Sequence, residues 1–228
     1  MKIFFLLVFI GTATIFSQEF KEEILVHQND TLPYRILLPK NYNSQKSYPL
    51  LIFLHGAGER GNDNKSQLVH GSFLFKSKDL RKNHPAIVVF PQCPEKSSWA
   101  NVKRNYGMSA GQKFDFFKKI SENRQLIMVE KLFDFIQKKY DIDETRRYVG
   151  GLSMGGMGTF ELVARNPDYF AAAFPICGGG NPHWSNLLKR TPFWIFHGEE
   201  DGVVSVDFSR KMYEALSKEK ASVRLTIY

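Results

Sequence analysis

Cysteine is nearly absent: Cys93 and Cys177 are the only two in 228 residues. That excludes a disulfide-stapled miniature scaffold, and a chain of this length buries about 70% of its unfolded surface without such help. The strand order argued below sets the two thiols at strand ends about three spacings apart, near 14 Å. A disulfide tolerates only about 7 Å between Cα atoms, so both cysteines are expected as buried thiols. Neither a Cys-x-x-Cys nor a His-Glu-x-x-His spacing occurs and the six histidines are scattered, so no metal site and no cofactor are expected. Concentrated charge is missing too. Lys and Arg number 31 against 23 Asp and Glu, net +8, but the cations are strewn as pairs such as Lys118-Lys119, Lys138-Lys139 and Lys189-Arg190. With no basic tail and no nucleic-acid motif, a nucleic-acid partner is not expected; anionic surfaces or acidic polymers are the partners such a charge attracts.

No apolar run reaches the ~20 residues of a membrane span. The uncharged stretch Ile3–Gln18 covers 16 residues. Lys2, the unbroken apolar run Ile3–Ile10 and the small residues beyond it describe a secretory signal peptide over residues 1–17. Cleavage is expected after Ser17, with Ala13 as the alternative. The mature domain, 18–228, is then expected to be soluble, and secreted or periplasmic, with no transmembrane span.

What is present is a rhythm of strands and helices. Tyr34–Pro39, Tyr48–Leu54, Ala86–Phe90, Arg147–Gly150, Phe170–Phe174, Phe193–Phe196 and Ser222–Tyr228 read as strands, several of them apolar on both faces. Gln125–Tyr140, Met154–Arg165 and Ser205–Lys218 read as helices, the second stopped by Asn166-Pro167. This alternation predicts an α/β fold with a mainly parallel central sheet and helices on both faces. One long polar and aromatic insertion, Glu95–Asn123, follows a strand, at the edge where such sheets bind ligands.

Three strand ends carry chemistry. Gly151-Leu152-Ser153-Met154-Gly155 has the Gly-x-Ser-x-Gly spacing of a nucleophile elbow between a strand and a helix. Small residues are required there because the serine sits in a strained turn, lifted clear of the sheet and facing a helix N-terminus. His55-Gly56-Ala57-Gly58 follows an earlier strand and suits an oxyanion hole. Ala57, or Gly58 in reserve, would donate one N–H and Met154 the other. His55 reads as a structural hydrogen-bonder of that loop. In His197-Gly198-Glu199-Glu200-Asp201, Asp201 is the candidate for the acid that orients a base, with Glu200 as runner-up. Trp99 in the insertion and Trp184 on another edge loop are candidate stacking surfaces for substrate. The insertion's phenylalanines are expected to form its own small core, and Glu59-Arg60 a structural ion pair.

The stretches Leu54–Gly61, Pro91–Pro94 and Gly151–Gly156 resemble the α/β-hydrolase superfamily, in particular the secreted esterases grouped as predicted peptidases, feruloyl esterases and polyhydroxybutyrate depolymerases. The resemblance covers about residues 30–228. It implies an α/β-hydrolase fold and a serine hydrolase cleaving small or polymer-linked carboxylic esters through an acyl-enzyme, with Ser153 as nucleophile and Asp201 as triad acid. Serine peptidase activity is the alternative within the same fold; a carbohydrate- or lipid-binding module without catalysis is the alternative outside it. In this superfamily the base histidine follows the acid in sequence, yet no histidine follows Asp201. The expectation is a chain truncated before the histidine loop and final helix, with His183 as a less favoured base. Lacking the base, such a chain keeps only ~10³–10⁴-fold acceleration over water.

Overall fold

The computed structural model describes residues 19–228; the signal peptide expected over 1–17 lies outside them. The chain opens with an antiparallel hairpin, β1 (Lys21–His27) and β2 (Asp30–Leu37), turning through Gln28, whose φ is +54°. Next come β3 (Tyr48–Leu54), the short helices α1 (Ser72–Lys76) and α2 (Lys78–Asn83), and β4 (Ile87–Pro91). A two-stranded ribbon, β5 (Val102–Arg104) with β6 (Phe114–Phe116), sits inside the insertion. The second half alternates α3 (Arg124–Lys139), β7 (Ile142–Leu152), α4 (Met154–Arg165), β8 (Ala172–Ile176), α5 (Ser185–Leu188), β9 (Phe193–His197), α6 (Val206–Lys218) and β10 (Val223–Ile227).

Eight strands form one sheet in the order β1-β2-β4-β3-β7-β8-β9-β10. The pairs from β4 to β10 are parallel, while β1–β2 and β2–β4 are antiparallel. Alternation along β3 builds the two faces. Leu50, Ile52 and Leu54 join a large core with residues of α3, α4, α5 and α6. Phe53 turns the other way, to a smaller core with Val88, Phe90 and Phe75 of α1. Helices therefore lie on both faces but unequally, and Trp194, stacked on Phe196 at 4.8 Å, remains 43% exposed.

The elements read from sequence recur with shifted ends. β7 starts at Ile142, earlier than the Arg147 read from sequence, because half-buried Asp143 and exposed Glu144–Arg146 show no apolar alternation. β1 was not legible, since its outward residues include Ile24 and Val26 beside Lys and Glu. Among the described residues no helix is long and apolar enough to cross a membrane. Cys93 is buried and Cys177 half-buried, both as free thiols, the latter less enclosed than expected.

Candidate active site

Ser153 stands where β7 becomes α4, with φ +55° and ψ −112°, a region L-residues rarely occupy. Its N–H donates to the Ile176 carbonyl at 2.8 Å, tying the turn to the end of β8. The two flanking glycines permit the crossing. A Cβ on Gly155 would lie 1.9 Å from the Leu54 carbonyl oxygen, and one on Gly151 2.4 Å from the Gly155 carbonyl oxygen. Both obstacles are backbone and cannot swing aside.

The turn after β3 abuts this elbow: a Cβ on Gly56 would be 3.8 Å from Ser153 Cβ. Ala57 opens the 3₁₀ turn Ala57–Glu59, and Met154 is the first residue of α4. Among the described residues neither of their N–H groups has a protein acceptor. Two long-range anchors fix the turn. His55 is buried; its Nε2 accepts the Cys93 N–H at 2.9 Å and its Nδ1 lies 2.6 Å from the Gly56 carbonyl. Accepting at Nε2 leaves the proton on Nδ1, and burial pulls the imidazole pKa down to about 4, so the ring is a neutral brace. Arg60 donates from Nε to the Ala57 carbonyl and from a terminal nitrogen to the Ser97 carbonyl. The expected Glu59–Arg60 pair is therefore replaced: Arg60 is spent on carbonyls, and Glu59 lies 3.5 Å from His70 Nε2.

Asp201 follows β9. Its Oδ1 accepts the N–H groups of Val203 and Val204 at 2.8 and 3.0 Å, and Oδ2 lies 3.6 Å from His197 Nε2. His197 is buried with both ring nitrogens engaged, by Ser209 Oγ and the Val204 carbonyl, so it is no free base. Glu200 is exposed. Cys177, which sequence reasoning did not connect to the site, joins them: one atom each of Cys177, His197 and Asp201 lies within 4.8 Å of the others. Burial pushes its thiol pKa up, with the nearby Asp201 carboxylate acting the same way. With His197 and Oδ1 already occupied, the trio is a hydrogen-bonded knot, not an open cation site.

The two tryptophans are corrections. Trp99 is 0% exposed, edge-on to His55 at 5.3 Å and pressed against Gly158, while Trp184 is 2% exposed with its indole N–H on the Lys118 carbonyl. Both rings are core and neither presents a face to a ligand. Phe114 and Phe116 pack on Phe208 of α6 instead of forming a core of their own, whereas Phe117 is exposed. The aromatic that the insertion exposes most is Tyr106, at 82%. His183 lines a shallow cavity with Lys211 and Glu214 of α6, and its ring has no hydrogen bond or ion pair among the described residues. One functional anchor escaped the sequence. Buried Glu161 of α4 accepts the backbone and side-chain N–H groups of Asn101 at 2.6 and 3.0 Å, pinning the insertion to the elbow helix. A carboxylate set between Phe160 and Leu162 was the available signal.

A mainly parallel sheet whose strand crosses into a helix through a strained, glycine-flanked serine defines the α/β-hydrolase fold. Residues 27–219 match the model of the esterase family described as "Putative esterase". The chain belongs to that family. A bifunctional acetylxylan esterase/xylanase from Neocallimastix patriciarum is 28% identical over 72% of this chain and 21% of its own length. A poly(3-hydroxyalkanoate) depolymerase from Paucimonas lemoignei is 30% identical over 58% of this chain and 28% of its own. Among solved structures, a thermostable esterase superposes with TM-score 0.82 at 36% identity, covering 92% of this chain and 55% of that one. The chain thus spans from about a fifth to just over half of these relatives' lengths.

Proposed function

We propose that this protein hydrolyses carboxylic esters through an acyl-enzyme on Ser153, with the N–H groups of Ala57 and Met154 receiving the oxyanion and Asp201 orienting the base. The observation that carries the reading is the Ser153 turn itself, a strained conformation held beside two N–H donors that no acceptor among the described residues takes. Attack would form the Ser153 Oγ–acyl bond and release the alcohol; water, activated by the same base, would then release the acid. Similarity to an acetylxylan esterase/xylanase and to a poly(3-hydroxyalkanoate) depolymerase favours a polymer-linked ester as substrate. Residues 1–17 favour export of the protein.

The base is proposed to be a histidine outside these 228 residues. β7 and β9 flank β8, which sets Ser153 and Asp201 on strand ends roughly 10 Å apart, a gap that one imidazole and two extended side chains fill. The Glu199 N–H donates to the Tyr228 carbonyl at 2.8 Å, so residues following Tyr228 would leave the sheet beside the Asp201 loop. The test compares the natural protein with Ser153→Ala on an aryl acetate and on a peptide amide. Ester turnover lost in the variant, with the amide untouched, is expected; equal turnover by both would refute the assignment.

A further inference from the structure

At the sheet edge opposite Ser153, where β2 ends and β3 and β4 begin, a cavity of about 510 Å³ opens between the connection that follows Pro39 and the α1–α2 segment. Six of its ten lining residues are cationic: Lys40, Lys46, Lys76, Lys78, Arg81 and Lys82; no carboxylate is among the ten. All five lysines are exposed, and none of their ammonium groups has a hydrogen bond or ion pair among the described residues. Some cations elsewhere do have acidic partners, as Lys139 with Glu23 and Lys189 with Glu219; what sets the cavity apart is six cations around one opening with no carboxylate in its lining. Like charges gathered without acids repel one another, and a bound anion removes that cost. Arg81 gives the cluster a fixed point: it is partly buried and donates to the Leu38 carbonyl at 2.8 Å.

We propose that this cavity binds an acidic polysaccharide, a chain bearing carboxylate or sulfate groups, at a site separate from that of ester hydrolysis. Ammonium groups on flexible stems suit anions spaced along a flexible chain, whereas rigid phosphate recognition favours guanidinium forks. The cavity's one aromatic ring, Tyr48, is buried, which leaves nothing on which a nucleobase can stack. No large exposed apolar side chain lines it to enter a lipid layer. Retention on an acidic polymer would raise the effective concentration of esters carried by that polymer or its neighbours.

The test measures binding of polygalacturonate and of dextran sulfate by the natural protein and by the triple variant Lys40→Glu/Lys78→Glu/Lys82→Glu, with neutral dextran as control. The proposal expects at least one acidic polymer to bind at about 50 mM salt and to dissociate by about 300 mM, and the triple variant to lose affinity at least about tenfold. Aryl-ester turnover should stay unchanged and the thermal midpoint should not fall, since the substitutions relieve like-charge repulsion, and the matching Lys→Gln triple should show an intermediate loss of affinity. Which polymer binds separates carboxylate from sulfate recognition. Unchanged affinity in the charge-reversed variant, or binding to phosphatidylglycerol vesicles or duplex DNA with neither acidic polysaccharide bound, would overturn it.

Discussion

Ser153 occupies a backbone conformation that costs about 1–3 kcal/mol, and the glycines around it let strand and helix touch so that the rest of the fold sustains it. Gly155→Ala should therefore cost about 3 kcal/mol or more, because its methyl group would meet the Leu54 carbonyl; a urea melt measures this. His55 shows how a neighbour supports the same turn. The unfolded imidazole titrates near 6.5 and the folded one near 4. The folded state thus binds fewer protons in between, and its contribution, present above about pH 6.5, is lost as pH falls through about 4. His55→Ala should cost about 2–4 kcal/mol at pH 7.5, from the orphaned Cys93 N–H and the void left behind. That gap should narrow between pH 6.5 and 4 in parallel melts. The elbow and the His-Gly turn were legible in sequence because their chemistry dictates spacing. Trp99 and Trp184 were not, since a tryptophan on a loop can face solvent or core, and only the packing against His55 and the bond to Lys118 decide.

At the scale of elements, loops are held by polar anchors whose partners lie far away in sequence. Glu161, on α4, reaches Asn101 sixty residues earlier. Burial raises its pKa from 4.5 to about 7, against the Asn101 hydrogen bonds that lower it. For this acid the folded state binds the extra proton, so the contribution is full below about pH 4.5 and is lost as pH rises through about 7. Glu161→Gln should flatten the fall in thermal midpoint between those limits; a variant with the wild-type slope would remove Glu161 as its source. The Asp201 loop is anchored differently, by two N–H donors on one oxygen. Asparagine can keep its oxygen there, so Asp201→Asn should leave the melting temperature nearly unchanged while aryl-ester kcat falls by about 10⁴-fold. Periodicity located α3, α4 and α6 well, but the shorter α1 and α2 carry too few residues for a period to register.

Across the whole molecule, the order of apolar runs was enough to read a mainly parallel sheet, because strands buried on both faces leave long apolar stretches. What the order of residues conceals is convergence. Lysines strewn along the chain assemble from two segments into one cavity, and Cys177, His197 and Asp201 meet although twenty residues separate the first two. Folding also shares the helices unevenly, with α3–α6 against one face and α1–α2 against the other. All of this positions one serine, and the central claim concerns that serine. The most direct test is to treat the natural protein with a fluorophosphonate, take its intact mass and map the adduct by peptide sequencing. One adduct on Ser153, absent from Ser153→Ala, is the predicted result; an adduct on another residue, or equal labelling of the two proteins, would contradict it.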